Sequence, residues 1–375
     1  MSIQADIAKL PKRLIIIDLS LYYKMPMLND STMPSPRDVV KLAFHYQETE
    51  FVPYFFDFSG LPLEQEVALT KYYGSQDWKR QVIRYLDLFQ FIDGYFSLNG
   101  ISKQEDGSEK DSFGSSWIMG STSHLVNWPL KETKIGDYRL PDIKKYFSQH
   151  IYPVLPAALE RSQNSFRVSC LVFGLFERAW TLRGFENFLT DLALEERFAE
   201  ELLDYITEWI IDGVDLLATA PIDAIMFTDD HAGQRGMLMG TGRWQKLFKP
   251  HWRRIYERVH HYGLYTIMHM CGNNSEVIPD LIEVGLDCME SCQPECMHLN
   301  ELKSKYGKDI RFWGGLGAQT VMPFGTPEDV RTQTRKLKEQ MGKNGGYILG
   351  LSKPPDVNVP VDNIAAFLKE ANQTR

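Results

Sequence analysis

The chain has 375 residues, 43% hydrophobic and 24% charged, with a formal net charge of -8. That composition belongs to a soluble globular protein with ample core, and the acidic balance argues against a general nucleic-acid binder. No basic run offers a grip on an anionic membrane, and the longest apolar runs, such as Leu14-Ile15-Ile16-Ile17, fall far short of the roughly 20 residues that span a bilayer. Met1 to Asp6 lacks the charged-then-apolar pattern of a signal peptide. Five cysteines, an odd number, fit reduced thiols in a cytoplasmic protein better than a disulfide framework.

In chain order, a helix at Pro36 to Tyr46 leads to a strand, Phe51-Val52-Pro53-Tyr54-Phe55-Phe56-Asp57. The stretch from about 60 to 150 is polar and aromatic, punctuated by Gly107-Ser108 and Gly114-Ser115-Ser116, with Trp117, Trp128 and Tyr138. It reads as helices and a hairpin inserted at the mouth of a larger domain. From about residue 165 short apolar runs alternate with amphipathic helices. The strands are Val168–Phe173, Ala224–Phe227, Leu264–Met268, Cys288–Glu290, Ile310–Trp313 and Tyr347–Leu349. Helices are expected at Glu195–Leu217, Ser275–Val284, Leu299–Tyr306, Thr326–Met341 and Val361–Ala371, with Thr326 as N-cap and Pro327 at the first helical position. With one more strand in the first half, the count reaches eight. The expected fold is α/β: a single (β/α)8 TIM barrel over residues 1–375, its insertion at the C-terminal face. An open doubly wound sheet is disfavoured because no Gly-x-Gly-x-x-Gly turn follows an early strand.

Chemistry concentrates where strands end. In Met268-His269-Met270-Cys271-Gly272-Asn273, an imidazole and a thiol two residues apart can face one point, and both ligate zinc. The bland alternative is a hydrogen-bonded histidine beside a small buried cysteine. On the next strand, alternation puts Cys288, Glu290 and Cys292 on one face, so Glu290, or Cys292, is the expected third ligand. Thr228-Asp229-Asp230-His231 ends the strand before; its carboxylates suit acid/base work or ligation, Asp230 the better candidate, or else they cap the loop that follows. Phe176 to Gly184 offers Arg178, Trp180 and Arg183, suited to an anionic or aromatic ligand, although Arg183 can also simply pair with Glu177 or Glu186. The Gly314-Gly315-Leu316-Gly317 cluster permits close backbone approach by a ligand or partner.

Taken in order, these pieces resemble the uroporphyrinogen decarboxylase superfamily over nearly the whole chain. The carriers are Pro36–Val40, Glu48–Pro53, Asp111-Ser112-Phe113-Gly114 with Trp117, Phe176–Gly184, Asp229-Asp230, His269-x-Cys271-Gly272-Asn273, Phe312-Trp313-Gly314-Gly315 and Gly346–Leu349. The decarboxylase branch carries Arg-Gln-Ala-Gly-Arg near its N-terminus; this chain does not, and Asp57 lacks that neighbourhood. The zinc-dependent, corrinoid-linked methyltransferase branch carries His-x-Cys-Gly-Asn plus a cysteine on the last strand. The first half matches; at the second, Lys353 stands roughly where the cysteine would be.

The resemblance therefore implies a methyltransferase of the O-demethylase type, moving a methyl group from a small methylated donor, favoured as a methoxylated aromatic ether, to the cobalt of a separate corrinoid protein. It implies zinc on His269 and Cys271; with the last-strand cysteine missing, Glu290 is the expected third ligand, with Cys292 or Asp230 as the alternatives. Asp230 and Glu177 are the expected catalytic groups, and Trp180, Arg178, Asp57 and Trp117 the expected substrate contacts. A decarboxylase or other lyase on the same barrel is the alternative enzyme, and a metal-free ligand-binding barrel the alternative of another class. The resemblance also admits a homodimer.

Overall fold

The computed structural model describes residues 34–375 apart from 56–60, 84, 86–87, 92–101, 121–122, 133 and 354. The chain divides into two units, Met1–Pro34 and Ser35–Arg375, and the second holds the whole of the described sheet. Seven parallel strands form that sheet in sequence order: β1 (Phe89–Phe91), β2 (Phe166–Leu171), β3 (Ala224–Thr228), β4 (Tyr265–His269), β5 (Cys288–Cys292), β6 (Arg311–Leu316) and β7 (Tyr347–Leu351). The eighth position belongs to Tyr54, which bridges Leu349 in parallel. The Phe55 ring then meets Phe89 and Phe91 on β1, at 5.6 and 6.1 Å between centroids, joining the two ends of the sheet. The architecture is the expected (β/α)8 barrel.

Physical reasons for these elements lie close to the sequence. Strands β3, β4, β5 and β7 are almost wholly buried, as parallel strands covered on both faces must be, and so read as apolar runs. The barrel interior is filled by rings: Phe89 stacks on Trp313 at 4.5 Å and meets Phe166 at 5.7 Å. Each such fully buried side chain contributes about 1.5–3 kcal/mol. The helix Pro327–Met341 starts on a capping box, with Thr326 and Asp329 satisfying each other's backbone N–H.

Two expectations change. The first predicted strand reduces to the bridge at Tyr54, and residues 56–57 of it, including Asp57, lie outside the described residues. Within the supposed insertion, the helix Leu63–Tyr73 and strand β1 belong to the barrel. The inserted part lies after Phe91: a four-stranded antiparallel sheet, Ser102–Lys103, Glu109–Lys110, Ser116–Ile118 and His124–Asn127. It packs on the helix that follows β2, Leu175–Arg183, through Ser115 Oγ to the Thr181 carbonyl (2.8 Å) and Leu130 N to the Leu182 carbonyl (2.9 Å). Trp117 of this sheet stacks on Phe173, just past the end of β2, so the sheet sits over the C-terminal ends of the barrel strands. No described helix is long and apolar enough to cross a membrane.

Candidate metal centre

The C-terminal ends of β3, β4 and β5 bring together the residues that carry chemistry. His269 closes β4, and its Nε2 lies 3.5 Å from Cys271 Sγ and 4.0 Å from Asp230 Oδ1. One donor atom from each of the three lies within 4.8 Å of the others. On the far side of the ring, His269 Nδ1 is hydrogen-bonded to Glu290 Oε2, and Glu290 is fully buried. Burial disfavours the charged imidazole, but Glu290 and Cys271 outweigh it and push the His269 pKa well above its ordinary value.

Three consecutive amides hold the cysteine loop. Cys271 N donates to Asp230 Oδ1 (2.7 Å), Gly272 N to Gln293 Oε1 (3.1 Å) and Asn273 N to the Gly233 carbonyl (2.9 Å). Asn274 Nδ2 adds bonds to the carbonyls of Met270, Cys271 and Gly272. Gly272 is required on two counts: its φ is +89°, and a Cβ there would lie 2.5 Å from the Ala232 carbonyl oxygen.

The adjacent carboxylates divide the work. Asp229, fully buried, caps the helix after β2 by accepting from Phe176 N (3.2 Å) and Glu177 N (2.8 Å). Asp230 is half exposed and turns toward Cys271. Glu177 accepts from Thr228 Oγ1 at 3.3 Å; burial, with Asp230 and Asp229 nearby, holds its carboxyl well above the usual range. Asp229 thus caps the helix after β2 and not, as expected, the loop that follows it, while Asp230 holds the cysteine loop.

Strand β5 departs from simple alternation. Ser291 has φ +67°, the pairing with β6 slips between Met289 and Cys292, and the side chains beyond turn over. Ser291 Oγ accordingly lies 3.6 Å from Cys271 Sγ while donating to the Ser352 carbonyl. Cys292 instead donates to the Met289 carbonyl (3.5 Å), and burial pushes its pKa up. So the expected third ligands stand apart from the donor cluster: Glu290 takes the other ring nitrogen and Cys292 turns into the barrel wall. Asp230 is the residue that completes the cluster. Nothing in the sequence signals a left-handed residue at 291, so Ser291 escapes a reading by periodicity. Lys353 is exposed. The Gly314-Gly315 cluster is approached by this chain itself: a Cβ at Gly314 would lie 2.9 Å from Cys292 N, and Tyr347 donates to the Gly314 carbonyl at 2.7 Å.

Beside the donors stands an aromatic row. Phe173, at φ +63° with its N–H on Thr228 Oγ1 (2.9 Å), stacks on Trp117 at 6.3 Å, and Trp117 meets Trp180 edge-on at 6.0 Å. Trp117 Nε1 donates to Asp111 Oδ2 at 3.0 Å, which fixes the indole within the inserted segment. Arg178 is 2% exposed and lies over the Phe113 ring at 3.4 Å. Arg183, by contrast, pairs with Asp191 at 2.6 Å and holds the Leu130 carbonyl, a structural role with Asp191 in place of Glu177 or Glu186.

The family model for uroporphyrinogen decarboxylase (URO-D) matches residues 112–374. The chain belongs to that family. A methylated-thiol–coenzyme M methyltransferase of Methanosarcina mazei is 23% identical over 256 residues, covering 66% of this chain; the chain spans 62% of the length of that relative. A solved methyltransferase structure from Methanosarcina mazei superposes with a TM-score of 0.67 at 15% identity, covering 90% of this chain and 98% of the other, and shows the fold alone. A B12-independent methionine synthase structure from Shewanella is more distant, at 12% identity, 86% and 94% coverage and a TM-score of 0.44. The donor set of this URO-D member, one nitrogen, one sulfur and one carboxylate oxygen with a second carboxylate orienting the imidazole, fits a zinc ion with an open coordination position.

Proposed function

We propose that this chain is a methyltransferase that moves a methyl group from a small methylated donor, favoured as a methoxylated aromatic ether, to the cobalt of a separate corrinoid protein. The observation that carries the reading is the Asp230, His269 and Cys271 cluster at the barrel mouth. These three residues would hold zinc, with Glu290 fixing the ring so that Nε2 faces the ion. When bound, zinc supplies Lewis acidity toward the donor heteroatom. A single thiolate in the set favours an oxygen leaving group over the thiol chemistry that two thiolates would support. The relative named for a methylated thiol favours a second reading, in which the donor heteroatom is sulfur.

The remaining chemistry belongs to side chains. Phe173, Trp117 and Trp180 give an aromatic donor a wall on which to stack. The methyl carbon accepts an electron pair from cobalt(I), and the electrons of the broken carbon–oxygen bond stay on the leaving oxygen. Glu177, held by Thr228 Oγ1, is the group we assign to deliver a proton to that oxygen. The five free thiols are compatible with a cytoplasmic setting.

The test has two parts. Purified protein should hold one zinc per chain, lost in His269→Ala and in Cys271→Ala. Mixed with a cobalt(I) corrinoid protein and a methoxylated aromatic, it should give methyl-cobalt absorbance. A metal-free yet active protein, or release of carbon dioxide from a carboxylated substrate without that spectrum, would overturn the reading.

A further inference from the structure

Arg178 is a buried cation whose counter-ion is missing among the described residues. No described carboxylate lies within ion-pair distance of it, and its Nε and Nη1 have no hydrogen-bond partner there. The guanidinium lies against two rings, Phe113 at 3.4 Å and Phe173 at 5.1 Å. The acid whose charge it feels most, Asp111, is committed elsewhere: Oδ1 accepts from Phe113 N and Ser115 N, both at 2.9 Å, and Oδ2 from Trp117 Nε1. The Tyr138 hydroxyl, also nearby, donates to the Phe113 carbonyl at 2.7 Å. Burial pulls the Arg178 pKa down to about 10, so the group remains charged at neutral pH.

A charge removed from water and left unpaired is costly, and proteins pair such groups. Stacked rings satisfy the faces of a guanidinium but not its N–H groups, which lie in the plane and match a carboxylate's two oxygens. We infer that Arg178 receives a carboxylate carried by the methyl donor, against the rings of Phe113, Phe173 and Trp117. This rests on the methyl-transfer reading above. The geometry suits it: Glu177, next to Arg178 in the chain, turns to Thr228 beside the His269 cluster, while Arg178 turns to the inserted sheet. Phe173 lies between these two directions, touching Arg178 with its ring and Thr228 with its N–H. One aromatic ring with an ether at one end and a carboxylate at the other would lie along that wall.

The experiment compares 4-methoxybenzoate with methoxybenzene, its neutral counterpart, on the zinc-loaded full chain, by calorimetry and by quenching of tryptophan fluorescence. Wild type should bind the carboxylate roughly tenfold or more tightly. Arg178→Met should reduce that preference to about twofold or less, and Arg178→Lys should keep part of it. Circular dichroism monitors folding. If Arg178→Met does not fold, the wild-type preference and the Lys variant decide. Equal binding of both probes, binding of neither, or a preference kept in a folded Arg178→Met protein overturns the inference. The two proposals fail separately. An Arg178-dependent preference without methyl-cobalt formation sinks only the methyl transfer, whereas equal kcat/KM for the two ethers sinks only the carboxylate subsite.

Discussion

The two ends of the barrel treat charge in opposite ways. At the N-terminal end the prominent charges are matched: Arg37 binds Asp223 through two nitrogens at 3.0 and 2.7 Å, and Asp287 takes both His260 (2.8 Å) and Arg311 (3.2 Å). At the C-terminal end, Asp230, Glu177 and Glu290 lie near one imidazole, and Arg178 stands among rings with no described counter-ion. Matched pairs across strand starts lock the ends of elements together and ask for nothing further. An excess of carboxylate on one side and a guanidinium without a described counter-ion on the other is the pattern expected of a mouth that takes up a cation and an anion, as proposed above.

Substitutions at the two ends should therefore differ in kind. The largest effect is expected from Cys271→Ala, which should lower zinc affinity by more than about 100-fold while the protein stays folded, read by competition with a chromophoric chelator. Next comes Glu290→Gln, which leaves all three donors but loosens the ring; a loss of roughly 10–100-fold in zinc affinity is expected, and unchanged affinity would remove Glu290 from the site. Gly272→Ala tests the mouth as a structure: with φ at +89° and the Ala232 carbonyl in the way, it should cost about 2 kcal/mol or more in denaturant unfolding. Asp229→Ala removes the cap of the helix after β2 and should cost about 1–2 kcal/mol in the same measurement.

The smallest effect belongs to the other end. Its hydrogen bond with Asp287 outweighs burial and raises the His260 pKa above the ordinary 6.5 or so. A raised folded value means the stabilisation is fully present below about pH 6.5 and is lost as the pH climbs through the folded pKa. His260→Gln should thus lose stability relative to wild type at pH 6 and little at pH 8.5. The group is half exposed, so solvent screening keeps the difference under about 1 kcal/mol.

Much of the barrel was legible because parallel strands buried on both faces must be apolar, and each predicted strand from Val168 onward falls on an observed one. Tyr54 and Phe89–Phe91 were harder: a single bridge and a three-residue strand carry almost no periodic signal. Within the site, His269 and Cys271 could be read from their spacing, whereas residue types alone left the roles of Asp229 and Asp230 open. The neighbours of Glu290 could not be read. Alternation holds only while φ stays negative, and the left-handed turn at Ser291 reverses the faces one residue before Cys292. Arg178 was visible as a candidate, but its missing partner depends on Asp111 being spent on the inserted sheet, a fact of tertiary packing.

The amides of Cys271, Gly272 and Asn273 donate to three different parts of the chain: the end of β3, the segment after β5, and the loop at Gly233. Hydrogen exchange at these positions should be as slow as in the neighbouring strands, although the segment has no regular structure. It should stay slow when metal is withheld. A loop clamped from three sides does not have to be ordered by its ion, so capture of the cation would be fast and accompanied by little change in heat capacity.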